Sequence, residues 1–187
     1  MMHNEDGVSR AALSRLRQVG RAVRLFSAVA AALMVLGIVW VWSDGAQMVS
    51  YARGVAGATA APAALSPGAY WTSLGLGLIP AAVFVHAMMR LAALFGRFAK
   101  GNVLESENAV ALGRIGWLLI GFGVLSPIAR ALQSVAFTLG NPVGQRQLAV
   151  QLDPGVFGAL AAGATLVAFG LVLREAIRLD EENKSFV

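Results

Sequence analysis

The chain has no cysteine among its 187 residues. Disulfides, thiolate nucleophiles and cysteine-ligated metal sites are therefore excluded. Histidine is almost as scarce: His3 and His86 are the only two, and they lie in different segments. Charge is also thin. Asp, Glu, Lys and Arg make up 13% of the residues, against about 25% in an ordinary soluble domain. No nucleophile motif, metal-ligand set or phosphate loop is present, and the glycine-rich pieces match no dinucleotide fingerprint. Ser126 and Ser134 have no base at a convincing spacing. The sequence therefore assigns no catalytic, cofactor-binding or metal residue, and enzyme activity is the least supported of the function classes.

What it has instead is apolar residues, 57% of the chain, and they are clustered. A bilayer core takes about 20 apolar residues in a helix. Four stretches meet that requirement: 25–42, 70–89, 115–139 and 156–173. The first, second and fourth carry no charge, and the third carries only Arg130. Backbone polar groups in hydrocarbon must be satisfied within the segment, so the spans are helices. The apolar run at 25–42 exceeds the roughly 7–15 residues of a secretory signal, and the faintly cleavage-like Ala58-Thr59-Ala60 lies far beyond it. An uncleaved anchor is expected.

Basic residues orient the spans. Twelve of the fifteen fall in the segment before the first span, in the 90–114 connection and in the tail. Only Arg53 and Arg146 lie in the other two loops. The positive-inside rule then puts both termini and the 90–114 connection in the cytoplasm. The expected fold class is all-α: an integral membrane four-helix bundle, N-in/C-in, with a basic segment at 1–24 and a membrane domain at 25–187. The net charge of +5 flanks apolar spans instead of forming one footprint. It suits membrane lipids and does not indicate nucleic acid.

Flanking details refine the picture. Trp40, Trp42, Tyr70 and Trp71 sit at one predicted membrane level and Trp117 at the other, as an aromatic belt requires. Ser9 is a candidate cap for a helix from Arg10. With Leu13, Leu16, Val19 and Val23 on one face, that segment either lies on the leaflet or extends the first span. The loop 43–69 is rich in alanine, glycine and proline and reads as irregular and exposed, and 140–153 reads likewise, with a turn at Asn141-Pro142. Asp153 is placed to cap the fourth span, with Pro154 at its first position. In the 90–114 connection, Leu91, Leu94, Phe95 and Phe98 extend the second helix past Arg90, Gly101 is expected to end it, and Asn102 or Ser106 to cap the next. Gly77/Ala81, Ala159/Gly163 and Gly158/Ala162 are small pairs at the spacing of close helix contact. They do not fix an oligomeric state.

The stretch 98–108, FAKGNVLESEN, followed by Leu112 and Ile115-Gly116-Trp117, resembles a bacterial four-span inner-membrane family known as domain of unknown function 2975. That family typically has Gly-Asn-x-Phe-Ser-x-Glu-Asn and then Ile-Gly-Trp. Gly101, Asn102, Glu107 and Asn108 match. Leu104 and Glu105 depart, standing where phenylalanine and serine are usual. The acidic tail 179–187 is also similar, so the resemblance extends over about 25–187. It implies a multi-pass protein of the bacterial inner membrane and a shared structural or interaction role for Gly101, Asn102, Glu107 and Asn108. It implies no reaction and no cofactor.

Arg130 completes the set of candidate residues. It lies 15 residues past Ile115, which is about 22 Å at helical rise. Two readings stand: the side chain snorkels to the headgroups, or it faces the bundle and pairs with Asp44, with Asp153 or with carbonyls freed at Pro127. For function, the expectation is a non-catalytic, partner-binding or regulatory membrane component, with the 90–114 loop or the acidic tail as protein contact. The alternative is a small transporter or channel subunit.

Overall fold

A computed structural model describes residues 5–57, 65–100 and 105–185, and the side chains of 17–57, 65–100 and 105–183. The described residues form five helices: α1 Glu5–Ser43, α2 Gly45–Ala56, α3 Pro67–Phe98, α4 Ser106–Thr138 and α5 Pro154–Ser185. Four of them, α1, α3, α4 and α5, are long and apolar enough to cross a membrane. The predicted spans 25–42, 70–89 and 156–173 each fall within one of these helices, and 115–139 lies in α4 except for Leu139, one residue past its end. α1 continues unbroken through the basic segment, so that segment extends the first span.

The four long helices form a membrane bundle in which sequence neighbours run antiparallel. α1 packs on α3, α3 on α4, and α4 on α5; α1 and α5 do not touch among the described residues. The helices thus stand in a row with α1 and α5 at its edges. Exposure follows that order. Apolar side chains such as Leu25, Phe26, Leu33 and Leu36 of α1, and Phe169, Leu171 and Val172 of α5, are more than half exposed. In hydrocarbon these faces meet lipid, where apolar surface has no reason to be buried.

Glycine sets the closest of these contacts. A Cβ at Gly116 of α4 would lie 2.6 Å from the Gly163 carbonyl oxygen of α5, and one at Gly163 would lie 2.7 Å from the Gly116 carbonyl oxygen. One step of seven residues along each helix repeats the arrangement: a Cβ at Gly170 would come within 2.9 Å of the Ala109 carbonyl oxygen, and one at Gly123 within 3.0 Å of Leu160. Backbones approach this closely only where side chains are missing. Of the small residues singled out in sequence, Gly163 is central to the seam, whereas a Cβ at Gly158 meets nothing within 4 Å. Gly77 serves a different purpose, leaving room for the amide of Gln133, 2.9 Å from where its Cβ would be.

The loop at 43–69 departs from expectation. Its first part is α2, a capped helix with a buried face. Asp44 accepts from the Ala46 N–H at 3.0 Å, which satisfies one of the free donors of the first turn. Gly57, at φ +91°, ends the helix with its N–H bonded to the Arg53 carbonyl; glycine takes that conformation without a Cβ penalty. Met48, Ala52, Val55 and Ala56 recur at helical spacing and are buried together with Phe137. α2 therefore closes one end of the bundle. Residues 58–64 lie outside the described part.

Proline does not break the spans. Pro80 and Pro127 lie within α3 and α4, and α4 continues to Thr138. Ser126 Oγ donates to the Phe122 carbonyl at 2.7 Å, in the turn leading into Pro127.

Candidate functional site at the α2 end of the bundle

Polar side chains within the apolar helices collect at the end closed by α2. On α4, Ser126, Arg130, Gln133, Ser134 and Thr138 recur at spacings that bring them toward neighbouring elements. Gln133 is buried and bonded on both sides. Its Nε2 donates to the Ser73 carbonyl of α3 at 2.7 Å, and its Oε1 accepts from the Tyr51 hydroxyl of α2 at 2.9 Å. One amide thereby ties three helices together. Tyr51 also stacks at a tilt on Trp42, with centroids 5.2 Å apart, and meets Phe137 edge-on at 6.2 Å. Burial raises the Tyr51 phenol above its ordinary pKa; the positive charge of Arg130 and the bond to Gln133 act in the opposite direction and do not cancel it. The phenol therefore stays protonated and keeps donating at neutral pH.

The 139–153 connection has no regular element, yet it is fastened down. The Ala149 N–H donates to Ser134 Oγ at 2.8 Å and the Gln147 N–H to Thr138 Oγ1 at 3.1 Å. Gln151 Nε2 reaches the Gly54 carbonyl of α2 at 3.0 Å. The Asn141-Pro142 turn is present, closed by the Gln145 N–H to the Pro142 carbonyl at 3.0 Å.

These attachments deliver Asp153 to Arg130. The Arg130 guanidinium donates through Nη1 to Asp153 Oδ2, while Asp153 Oδ1 accepts from the Val156 N–H of α5 at 3.2 Å. Asp153 thus caps α5 and pairs with the charge on α4. Both side chains remain partly exposed, at 40% for Arg130 and 38% for Asp153. Desolvation raises the pKa of the Asp153 carboxyl, but the hydrogen bond and charge of Arg130, with the backbone N–H groups of Val156 and Gly155, outweigh it and hold the pKa below the usual range. Asp44, the other carboxylate considered for Arg130, caps α2 instead.

Arg130 also borders an opening. A recess of about 400 Å³ lies between α1, α3 and α4, with walls mainly of apolar residues such as Leu33, Ile38, Leu78 and Phe122. Trp42, Tyr51, Arg130 and Gln133 line its α2 end. Asp153 uses Nη1 of the guanidinium. Its other N–H groups have no protein acceptor among the described residues.

The sequence-selected residues do not form one cluster. Gly101 and Asn102 lie outside the described residues. The cap expected at Asn102 is not that of α4, which starts at Ser106 with Glu105 in the cap position and no side-chain cap bond. Glu107 is exposed and sits 3.6 Å from Arg97, linking the start of α4 to the end of α3. Asn108 is fully buried. Asn108 and Arg130 lie 22 residues apart on α4, about 33 Å at helical rise, so they serve opposite ends of the bundle. The aromatic residues divide as well. Trp40, Trp71 and Trp117 are each more than 60% exposed, as belt residues should be. Trp42 is half-buried and accepts from Tyr70 Oη through its carbonyl at 2.7 Å, inside the bundle. Sequence reading passed over Tyr51, Ser73 and Gln133. The signal available was Gln133 itself, an amide within an apolar span and three residues from Arg130, hence on the same face.

No curated protein and no solved structure matches the chain. A family model described as Protein of unknown function (DUF2975) matches residues 55–187. The match begins at the end of α2 and takes in α3, α4 and α5, a shorter reach than the resemblance from residue 25 onward. It covers more than half of the chain, including Gln133, Arg130 and Asp153, and the protein accordingly belongs to the DUF2975 family of membrane proteins.

Proposed function

We propose that the protein is a non-catalytic binding component of the bacterial inner membrane, with both termini cytoplasmic, and that its recess takes an anionic amphiphile with the head at Arg130 and the tail among the apolar walls. The observation that carries this reading is the recess itself: a mainly apolar groove between helices with one guanidinium at its end, only partly engaged by Asp153. A fixed cation at the end of an apolar slot suits a carboxylate or phosphate head on an apolar chain. Regulation through protein contacts at the 90–114 loop or the acidic tail fits the same class of function.

A transport role has less support. From residue 74 to 85 in α3 there is no polar side chain, and from 115 to 125 in α4 only the outward-facing indole of Trp117, which is 65% exposed. Each gap is about 16 Å long at helical rise. An ion or polar solute crossing there would find no side-chain partner.

Labelling with a photoreactive fatty acid tests the proposal. Cross-links are expected on peptides containing Leu33–Trp42 and Phe122, and an excess of unmodified fatty acid should suppress them. Labelling spread evenly over the exposed faces of α1 and α5, with no suppression, would overturn it.

A further inference from the structure

The opposite end of the bundle has a second recess, of a different character. Near Gly20, α1 comes so close to α3 that a Cβ there would lie 3.0 Å from the Phe95 carbonyl oxygen and 3.3 Å from Ala99. This approach brings Arg24 beside the end of α3. A recess of about 310 Å³ results, lined by Arg24, Arg97 and Lys100 around a floor of Ala92, Ala93 and Gly96. The Arg24 side chain runs across that floor, its Cδ 3.9 Å from where a Cβ of Gly96 would stand.

The charges in this recess are poorly balanced. Arg97 has Glu107 at 3.6 Å, and both are substantially exposed. Arg24 and Lys100 have no ion pair among the described residues. Three cations converging on small residues repel one another unless an anion joins them. The surroundings indicate which anion. Leu25 and Phe26, directly after Arg24, are 67% and 69% exposed, so the lipid-facing apolar span of α1 begins at the level of the recess. A phospholipid lying there would have its chains against α1 and its phosphate among the cations, as headgroups do in basic pockets between membrane helices.

We infer that the recess formed by Arg24, Arg97 and Lys100 is a binding site for the headgroup of an anionic phospholipid. The site is independent of the Arg130 recess, since no residue lines both.

The test is native mass spectrometry of the full chain in detergent, with phosphatidylglycerol or phosphatidylcholine added at equal concentration. Phosphatidylglycerol should be retained preferentially. Arg24→Gln with Lys100→Gln should reduce retention about tenfold, and Arg174→Gln with Arg178→Gln, which removes as much charge elsewhere, should change it little. Gly96→Leu keeps every charge but fills the floor, and it should also reduce retention. Equal retention of the two lipids would overturn the inference. So would a Gly96→Leu protein that melts like the parent and retains phosphatidylglycerol fully, or displacement of the lipid by inorganic phosphate at matched concentration.

Discussion

At the scale of single residues, Asp153 performs two tasks, and substitution separates them. Asparagine is as good a helix cap as aspartate, so Asp153→Asn preserves the start of α5 and removes only the charge paired with Arg130. The folded-state pKa of Asp153 is depressed. Its contribution to stability is therefore fully present above the unfolded value of about 3.9 and is lost as pH falls through the folded value. Melting temperature in detergent should fall below about pH 4 in the parent, and this acid-dependent part should shrink in Asp153→Asn. An unchanged acid limb would show that the pair contributes nothing. Arg130→Leu removes the other partner and leaves Asp153 alone. Because both groups are partly exposed, the expected loss is about 1–2 kcal/mol, between that of a surface pair and that of a buried one. Arg130→Lys should lose less. Sequence reading named Asp153 among three partners for Arg130 and could not select it, because selection depends on how the 139–153 connection folds back over Ser134 and Thr138.

At the scale of elements, the spans were legible because twenty apolar residues in a row have few alternatives in water or lipid. Helix α2 was not, although Met48, Ala52, Val55 and Ala56 mark its face and Asp44 and Gly57 its ends. Alanine and glycine obscured the pattern, since they count as loop composition when the period is not examined. Met48→Ala should destabilise the bundle by about 2–5 kcal/mol if α2 is packed as described. Melting equal to the parent's would make α2 a loosely attached surface helix. The α4–α5 seam has a similar history. The small pairs four apart were visible, whereas the contact uses a step of seven shared by two distant helices, which neither helix reveals alone. Gly163→Leu has no room beside the Gly116 carbonyl, while Gly158→Leu faces open space. The first should cost upwards of about 1–3 kcal/mol or abolish folded yield, and the second should be neutral. Equal yields by size-exclusion chromatography would contradict the seam.

At the scale of the whole molecule, a row of four antiparallel helices puts the N-terminus of α1, the C-terminus of α5 and the α3–α4 connection at one end, and α2 with residues 139–153 at the other. From the charge asymmetry we propose that the row stands with its basic end in the cytoplasm. A phosphatase reporter fused at Lys184 should be inactive and one inserted near Ala60 active; the reverse would invert the orientation. The same row leaves α3 as the floor of the recess between α1 and α4, whose backbones do not approach each other closely among the described residues. That opening, with Arg130 at one end, is the basis of the functional reading. Its most direct test is to purify the parent and Arg130→Gln side by side in mild detergent, extract both with organic solvent and identify the bound small molecules by mass spectrometry. The parent should release one anionic amphiphile in near-equimolar amount, and folded Arg130→Gln should release far less of it. The same amphiphile recovered at the same ratio from both proteins would contradict the account.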